Sequence, residues 1–208
     1  MAWKPDYVTL AELKAHLRVT DTADDTALAR EITSASRAVD FECGRQFGVS
    51  AVVDRYYSPD AQLLIQGRPA ISVDDISSTT SLDVATDVAD DGNFSTVLTL
   101  DWDYELWPYN ANLDGLPWTH LLLRRSSETY WPWTERSVKV TALFGWSAVP
   151  AVVKTATLIQ AARFFVRRDS AYGVAGSPEL GSEVRLLARL DPDVALSLTS
   201  VKRHWGVV

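Results

Sequence analysis

The chain has 208 residues, 47% hydrophobic and 23% charged, with a formal net charge of −7, one cysteine and three histidines. That suits one large soluble domain, or a helical domain carrying a β insertion. A single cysteine excludes an internal disulfide and any cysteine-rich zinc site. The opening Met-Ala-Trp-Lys-Pro-Asp lacks the apolar core of a secretory leader, so synthesis in a reducing cytoplasm is expected.

The segment from Tyr7 to Arg18 sets Leu10, Leu13 and Leu17 at helical spacing, and Thr9 with Glu12 has the form of a capping box. A second helix is expected after the acidic turn at 21–25, where negative charge meets the positive end of the helix dipole. Leu28, Ile32, Ala35, Val39 and Cys43 share one face of it, and Gly44 supplies its stop. Cys43 on that face reads as a small core residue, not a nucleophile.

From Val49 the period becomes that of strands. Residues 52–57, 62–65, 70–76, 96–100, 121–124 and 137–143 are predicted strands, separated by turns at Ser58-Pro-Asp, Gly67-Arg-Pro, Asp90-Asp-Gly-Asn93 and Asp114-Gly-Leu-Pro117. Strands without intervening helices point to an antiparallel meander, sandwich or small barrel. Asp101, Asp103 and Glu105 alternate here and are candidates for an acidic surface lining a channel; the calcium-loop glycine and terminal glutamate are missing. Trp107, Trp118 and Trp131 are candidate contacts with a partner or a neighbouring subunit, with Trp102, Trp133, Tyr104, Tyr109 and Tyr130 among them. Rings of this kind pack small β cores, serve protein interfaces, or stack on sugars.

A final helix opens at Pro150, whose missing N–H costs nothing in a first turn. Val152, Val153, Ala156, Leu158, Ile159, Ala161, Ala162, Phe164, Phe165 and Val166 cover most of its circumference, with Lys154, Thr157, Gln160, Arg163 and Arg167 as interruptions. Such a helix is expected to be buried on several sides; its charges argue against a membrane span. Leu13, Leu17, Ile32, Val39, Ile159 and Phe165 are the expected helical core. From Asp191 the chain reads as an arm dispensable for folding, with a short helix begun near Pro192, in which Lys202, Arg203 and Trp205 are candidate contacts with a partner or a neighbouring subunit.

Charge is uneven: residues 1–48 carry −2, 49–115 carry −10 and 116–208 carry +5. A strongly acidic middle binds phosphate poorly, since DNA affinity comes from Lys and Arg. His16, His120 and His204 stand in no ligand spacing, and no phosphate loop, Gly-x-Ser-x-Gly elbow or cysteine–histidine pair is present. No catalytic, cofactor or metal site is expected.

Four stretches carry a resemblance: YVTLAELKAHLRV at 7–19, DDTALAREITSASRAVDFECGRQF at 24–47, GWSAVPAVVKTATLIQAARFFVRR at 145–168, and the tail from Leu190 to Trp205. In order and spacing they resemble the head–tail connector (adaptor) family of long-tailed bacteriophages, over a little more than half the chain. The resemblance implies a structural virion protein of the neck: a homo-oligomeric ring, of twelve subunits to match the portal, under the portal vertex. Its implied partners are the portal and the next neck or tail-completion protein, with DNA passing through the lumen without specific binding. The expected fold is α+β, with N-terminal helices (1–48) and a long C-terminal helix and arm (148–208) forming a small helical bundle. An antiparallel β region (49–147), sandwich or small barrel, is inserted between them. The rival readings are a carbohydrate-binding β module and a DNA-binding helical domain.

Overall fold

The computed structural model describes residues 4–168, 174–175, 184–185 and 191–203. The fold is mixed α+β, and the described residues form two compact units. One takes those up to Phe47 and those from Val149; the other is Gly48–Ala148.

The helical unit begins with α1 (Leu10–Leu17). Its capping box forms as the sequence demands: Thr9 Oγ1 accepts the Glu12 N–H at 3.2 Å, and Glu12 Oε2 accepts the Thr9 N–H at 2.6 Å. Helix α2 (Asp25–Cys43) buries Leu28, Ile32, Ala35, Ser36, Val39 and Cys43 and stops at Gly44, whose φ of 64° is the left-handed C-cap conformation. Helix α3 (Ala151–Arg167) follows Pro150, and α4 (Pro192–Ser197) runs into a 3-10 turn, Leu198–Val201. Strands β9 (Val174–Ala175) and β10 (Val184–Arg185) pair antiparallel.

The core of this unit joins Val8 and Leu13 to Leu28, Ile32 and Ala35 of α2 and Ala161 of α3; Leu17, Leu158, Phe164 and Phe165 pack against it. An Arg168–Asp24 ion pair at 2.7 Å ties the end of α3 to the start of α2. The buried side of α3 is narrower than its apolar circumference suggests. Val153, Ala156, Thr157, Gln160 and Ala161 are buried, Ile159 and Phe165 are half-buried, and Val166 is 54% exposed. Thr157, a polar interruption in the sequence pattern, sits inside because its hydroxyl donates to the Val153 carbonyl at 2.8 Å.

The other unit is a single curled antiparallel sheet of eight strands: β1 (Val49–Tyr57), β2 (Leu64–Ile65), β3 (Arg68–Ile76), β4 (Asp83–Thr86), β5 (Thr96–Leu98), β6 (Tyr104–Trp107), β7 (Trp118–Leu123) and β8 (Val138–Gly145). Its order, β5-β4-β8-β3-β7-β6, is not a meander, because the last strand lies in the middle. On one edge β8 pairs with β1 along its length; on the other it meets β4 at Val138–Thr141 and β3 at Phe144. Two strands sharing one edge make the sheet bend, which places it between an open sheet and a closed barrel. Ile71, Val73, Val84, Leu98, Leu121, Trp131, Val138, Val140 and Phe144 fill the concave core.

Ile32→Ala and Trp131→Ala should each destabilise the chain by roughly 2–5 kcal/mol, since each leaves a cavity in a close-packed core. Thr9→Ala should cost only about 1 kcal/mol, through the lost cap. Denaturant midpoints at unchanged m-value check this ordering.

Candidate functional site

The candidate surfaces of the helical unit are built on α2 and the C-terminal run. Tyr7 is buried and organises the segment before α1: its hydroxyl donates to Asp40 Oδ1 and accepts the Phe47 N–H at 3.0 Å, while its own N–H donates to Ser36 Oγ at 3.2 Å. Arg37 pairs with Asp40 at 3.0 Å and donates to the Pro5 carbonyl. Burial, the largest influence, raises the Asp40 carboxyl above its ordinary range, against the pull of Tyr7 and Arg37. Burial likewise pushes the Cys43 thiol up to about 12, so it stays protonated and inert.

Lys202 and Arg203 are held within their own subunit. Lys202 Nζ pairs with Glu42 Oε1, and the Arg203 N–H donates to the Cys43 carbonyl at 2.8 Å. Upstream, Asp191 accepts the Asp193 N–H at 3.0 Å and pairs with Arg163 at 2.7 Å, while Val194, Leu198 and Val201 are buried. The expectation of a dispensable arm from Asp191 is therefore corrected: that run is part of the helical core. Trp205 lies outside the described residues. Arg163 and Arg168 are both ion-paired.

Between α3 and α4 lies an open cleft of about 420 Å3, lined by Val152, Thr155, Ala156 and Ile159 on one side and Val194 and Ser197 on the other, with Asp191 and Asp193 at its rim. No sequence pattern announced it, because it depends on how a six-residue helix docks.

In the sheet unit the three acidic candidates do not form one free row. Asp101 is exposed in a turn at φ 65°. Asp103 accepts the Thr99 N–H at 2.8 Å and the hydroxyls of Ser127 and Thr129 at 3.1 and 3.2 Å. Glu105, on β6, takes Arg68 at 2.7 Å, Arg124 at 3.3 Å and the Tyr109 hydroxyl at 3.1 Å. The Arg68 hydrogen bond is the main reason its carboxyl is held below the ordinary range. Sequence reasoning missed Arg68 and Tyr109 as its partners; they come from β3 and from the loop after β6.

The tryptophans divide by burial. Trp131 is 0% exposed, its indole N–H reaching the Pro69 carbonyl at 3.4 Å; Trp118 is 9% exposed and Trp107 half-buried against Tyr109. Trp131 and Trp118 therefore pack the sheet core and offer no surface to a partner, a correction to their reading as contacts. The rings that do face solvent are Tyr56, Trp102, Tyr109, Tyr130 and Trp133. Among the described residues no group of three or more His, Cys, Asp or Glu is placed to hold a metal, and no helix is long and apolar enough to cross a membrane.

Residues 7–83 match the phage gp6-like head–tail connector protein family. The match spans α1, α2 and the first three strands, and includes two of the four stretches that carried the resemblance. It is a family of structural proteins, not of enzymes. No curated protein matches the chain. Among solved structures, the chain is similar to one from the neck of an empty gene transfer agent (GTA) particle computed with C6 symmetry. They are 20% identical with a TM-score of 0.50, over 92% of this chain and 97% of that one. The neck of the native particle computed with C12 symmetry gives the same values. A chain of the native gene transfer agent virion is 21% identical with a TM-score of 0.51, over 89% and 94%. At this identity the likeness is one of fold, and it runs nearly the full length of both chains.

Removing residues 191–208 should lower stability well beyond a surface change, since each buried Val or Leu is worth about 1.5–3 kcal/mol; a midpoint equal to the wild type's would refute the placement. Glu105 supplies stability above the ordinary glutamate pKa of about 4.3 that is lost as pH falls through its depressed value. Glu105→Gln should therefore flatten the acid limb of a stability–pH curve and leave the alkaline limb unchanged.

Proposed function

We propose that this protein is a structural head–tail connector: a ring in the virion neck beneath the portal vertex that joins capsid to tail and lets DNA through. What carries the reading is that one chain combines the connector-family match at 7–83 with a fold shared along almost all of a neck chain. A twelve-subunit ring is supported by the likeness to a neck computed with C12 symmetry. The portal on one side and the next neck or tail-completion protein on the other are its partners.

In this reading the helices act as a small bundle, the rigid part of each subunit, and the sheet is an insertion that offers Trp102, Tyr109, Tyr130 and Trp133 to neighbours. DNA passes without being gripped. The acidic stretch 49–115 repels phosphate, and Arg163 and Arg168 are already neutralised within the subunit. Lys202 and Arg203 are tied to α2, and Trp205 is the proposed contact with the portal or a neighbour.

Particles produced without this chain should accumulate as DNA-filled heads lacking tails, scored by negative-stain electron microscopy. Tailed, infectious or transducing particles at normal yield in its absence would refute the connector role.

A further inference from the structure

The chain holds two Asp–Gly pairs, Asp91–Gly92 and Asp114–Gly115, both in the sheet unit and outside its strands. Such a pair is open to internal ring closure, because glycine sets no Cβ beside the attacking amide nitrogen. Gly92 and Gly115 have positive φ, 81° and 68°, and open space surrounds both. Sterics therefore do not separate the two pairs, but hydrogen bonding does. The Gly92 N–H donates to Asp87 Oδ2 at 2.7 Å, and Asp91 Oδ1 accepts the Asn93 N–H at 2.8 Å. Asp87 is only 5% exposed, and its own N–H donates to the Ser137 carbonyl at 2.8 Å. Both reacting groups of the first pair are thus engaged, and a buried carboxylate anchors them. The second pair is loose. The Gly115 N–H reaches only the Asn112 carbonyl, at 3.4 Å, beyond the usual hydrogen-bond range. The Asp114 carboxylate is exposed and makes no hydrogen bond or ion pair among the described residues.

We propose that Asp114 is a site of spontaneous isomerisation to isoaspartate, and that Asp91 is spared by its hydrogen bonds. The Gly115 nitrogen attacks the side-chain carboxyl carbon of Asp114 in its protonated form. A C–N bond forms, and the carboxyl hydroxyl leaves with the amide proton as water, closing a five-membered succinimide. Water then reopens the ring. Cleavage at the side-chain carbonyl restores aspartate; cleavage at the main-chain carbonyl leaves the chain running through the β-carbon. No enzyme, oxidant or cofactor is needed. The product carries one extra carbon in the main chain, inside a turn that the Leu116 N–H closes on the Ala111 carbonyl at 2.8 Å. That bond spans both residues of the pair, so conversion breaks it. The same loop joins β6 to β7 and carries Leu113, 84% exposed, and Leu116, 43% exposed. Aged subunits therefore differ from new ones at a surface that the sheet unit presents.

The test incubates the purified full chain in warm, neutral buffer and counts isoaspartate site by site. Peptide mapping with a protease that cleaves at aspartate but not at isoaspartate gives the position, and methyl transfer by an isoaspartyl methyltransferase gives the amount. In the folded chain, position 114 should convert roughly tenfold faster than position 91, since a charge-assisted hydrogen bond must first break at Gly92. In denaturant the two positions should convert at similar rates, because the protection of Asp91 is structural. Asp114→Glu, which would need a larger ring, should melt with the wild type and show no conversion at that position. Three results would each overturn the proposal: a folded chain without isoaspartate at 114, equal or faster conversion at 91, or the same bias persisting in denaturant.

Discussion

The pairing of β1 with β8 is the constraint on which the rest depends. The chain leaves its first two helices at Gly48 and returns to a helix only at Pro150, so the two sequence halves of the helical core are separated by about a hundred residues. Closing such a loop without structure costs entropy, and the cost grows slowly with length. Here the excursion closes itself. Val49 lies opposite Gly145, the register holds from Val52–Leu143 to Tyr57–Val138, and the Trp146 N–H donates to the Gly48 carbonyl at 2.9 Å. The sheet thus returns the chain beside the point from which it departed. Ala161 can then join Leu28 and Ile32 without a further search.

The same strand explains what was legible in the sequence and what was not. The helices were, because their signals are local: Thr9 with Glu12, Gly44, and Pro150 each mark a boundary that backbone chemistry alone enforces. The strands were mostly legible too, but β6 lies outside the six predicted spans, and β4 was missed as well. Its four residues, Asp83–Thr86, carry no alternation, and Val84, Ala85 and Thr86 are all buried because β8 and β5 flank the strand on both sides. Strand order was beyond reach for a related reason. Placing β8 at the centre is decided by long-range pairing, and nothing in residues 138–145 announces which strands will flank them.

Side-chain fate was legible in proportion to its dependence on neighbours in sequence. Cys43 read as core and is core, since helix period decides its face. Trp131 and Trp118 read equally well as contacts or as packing, and the structure buries them, because a curled sheet closed on one side has an interior large enough to demand indoles. Glu105 read as free acid and is not. Arg68 lies 37 residues before it, and Arg124 arrives from the end of β7. Charge counted along a chain therefore overstates charge presented to a partner.

That last point bears on the acidity of the chain as a whole. Part of the acidity of 49–115 is matched inside the sheet unit: Asp74 pairs with Arg55 at 2.6 Å and Glu105 with two arginines, while hydroxyls and a backbone N–H hold Asp103. The helical unit treats its cations the same way, with Arg163, Arg168 and Lys202 each matched to a carboxylate. Exposed pairs of this kind add little to stability one by one, about 0–1 kcal/mol. Their larger effect is to hold these side chains in one geometry and to match those charges within the unit.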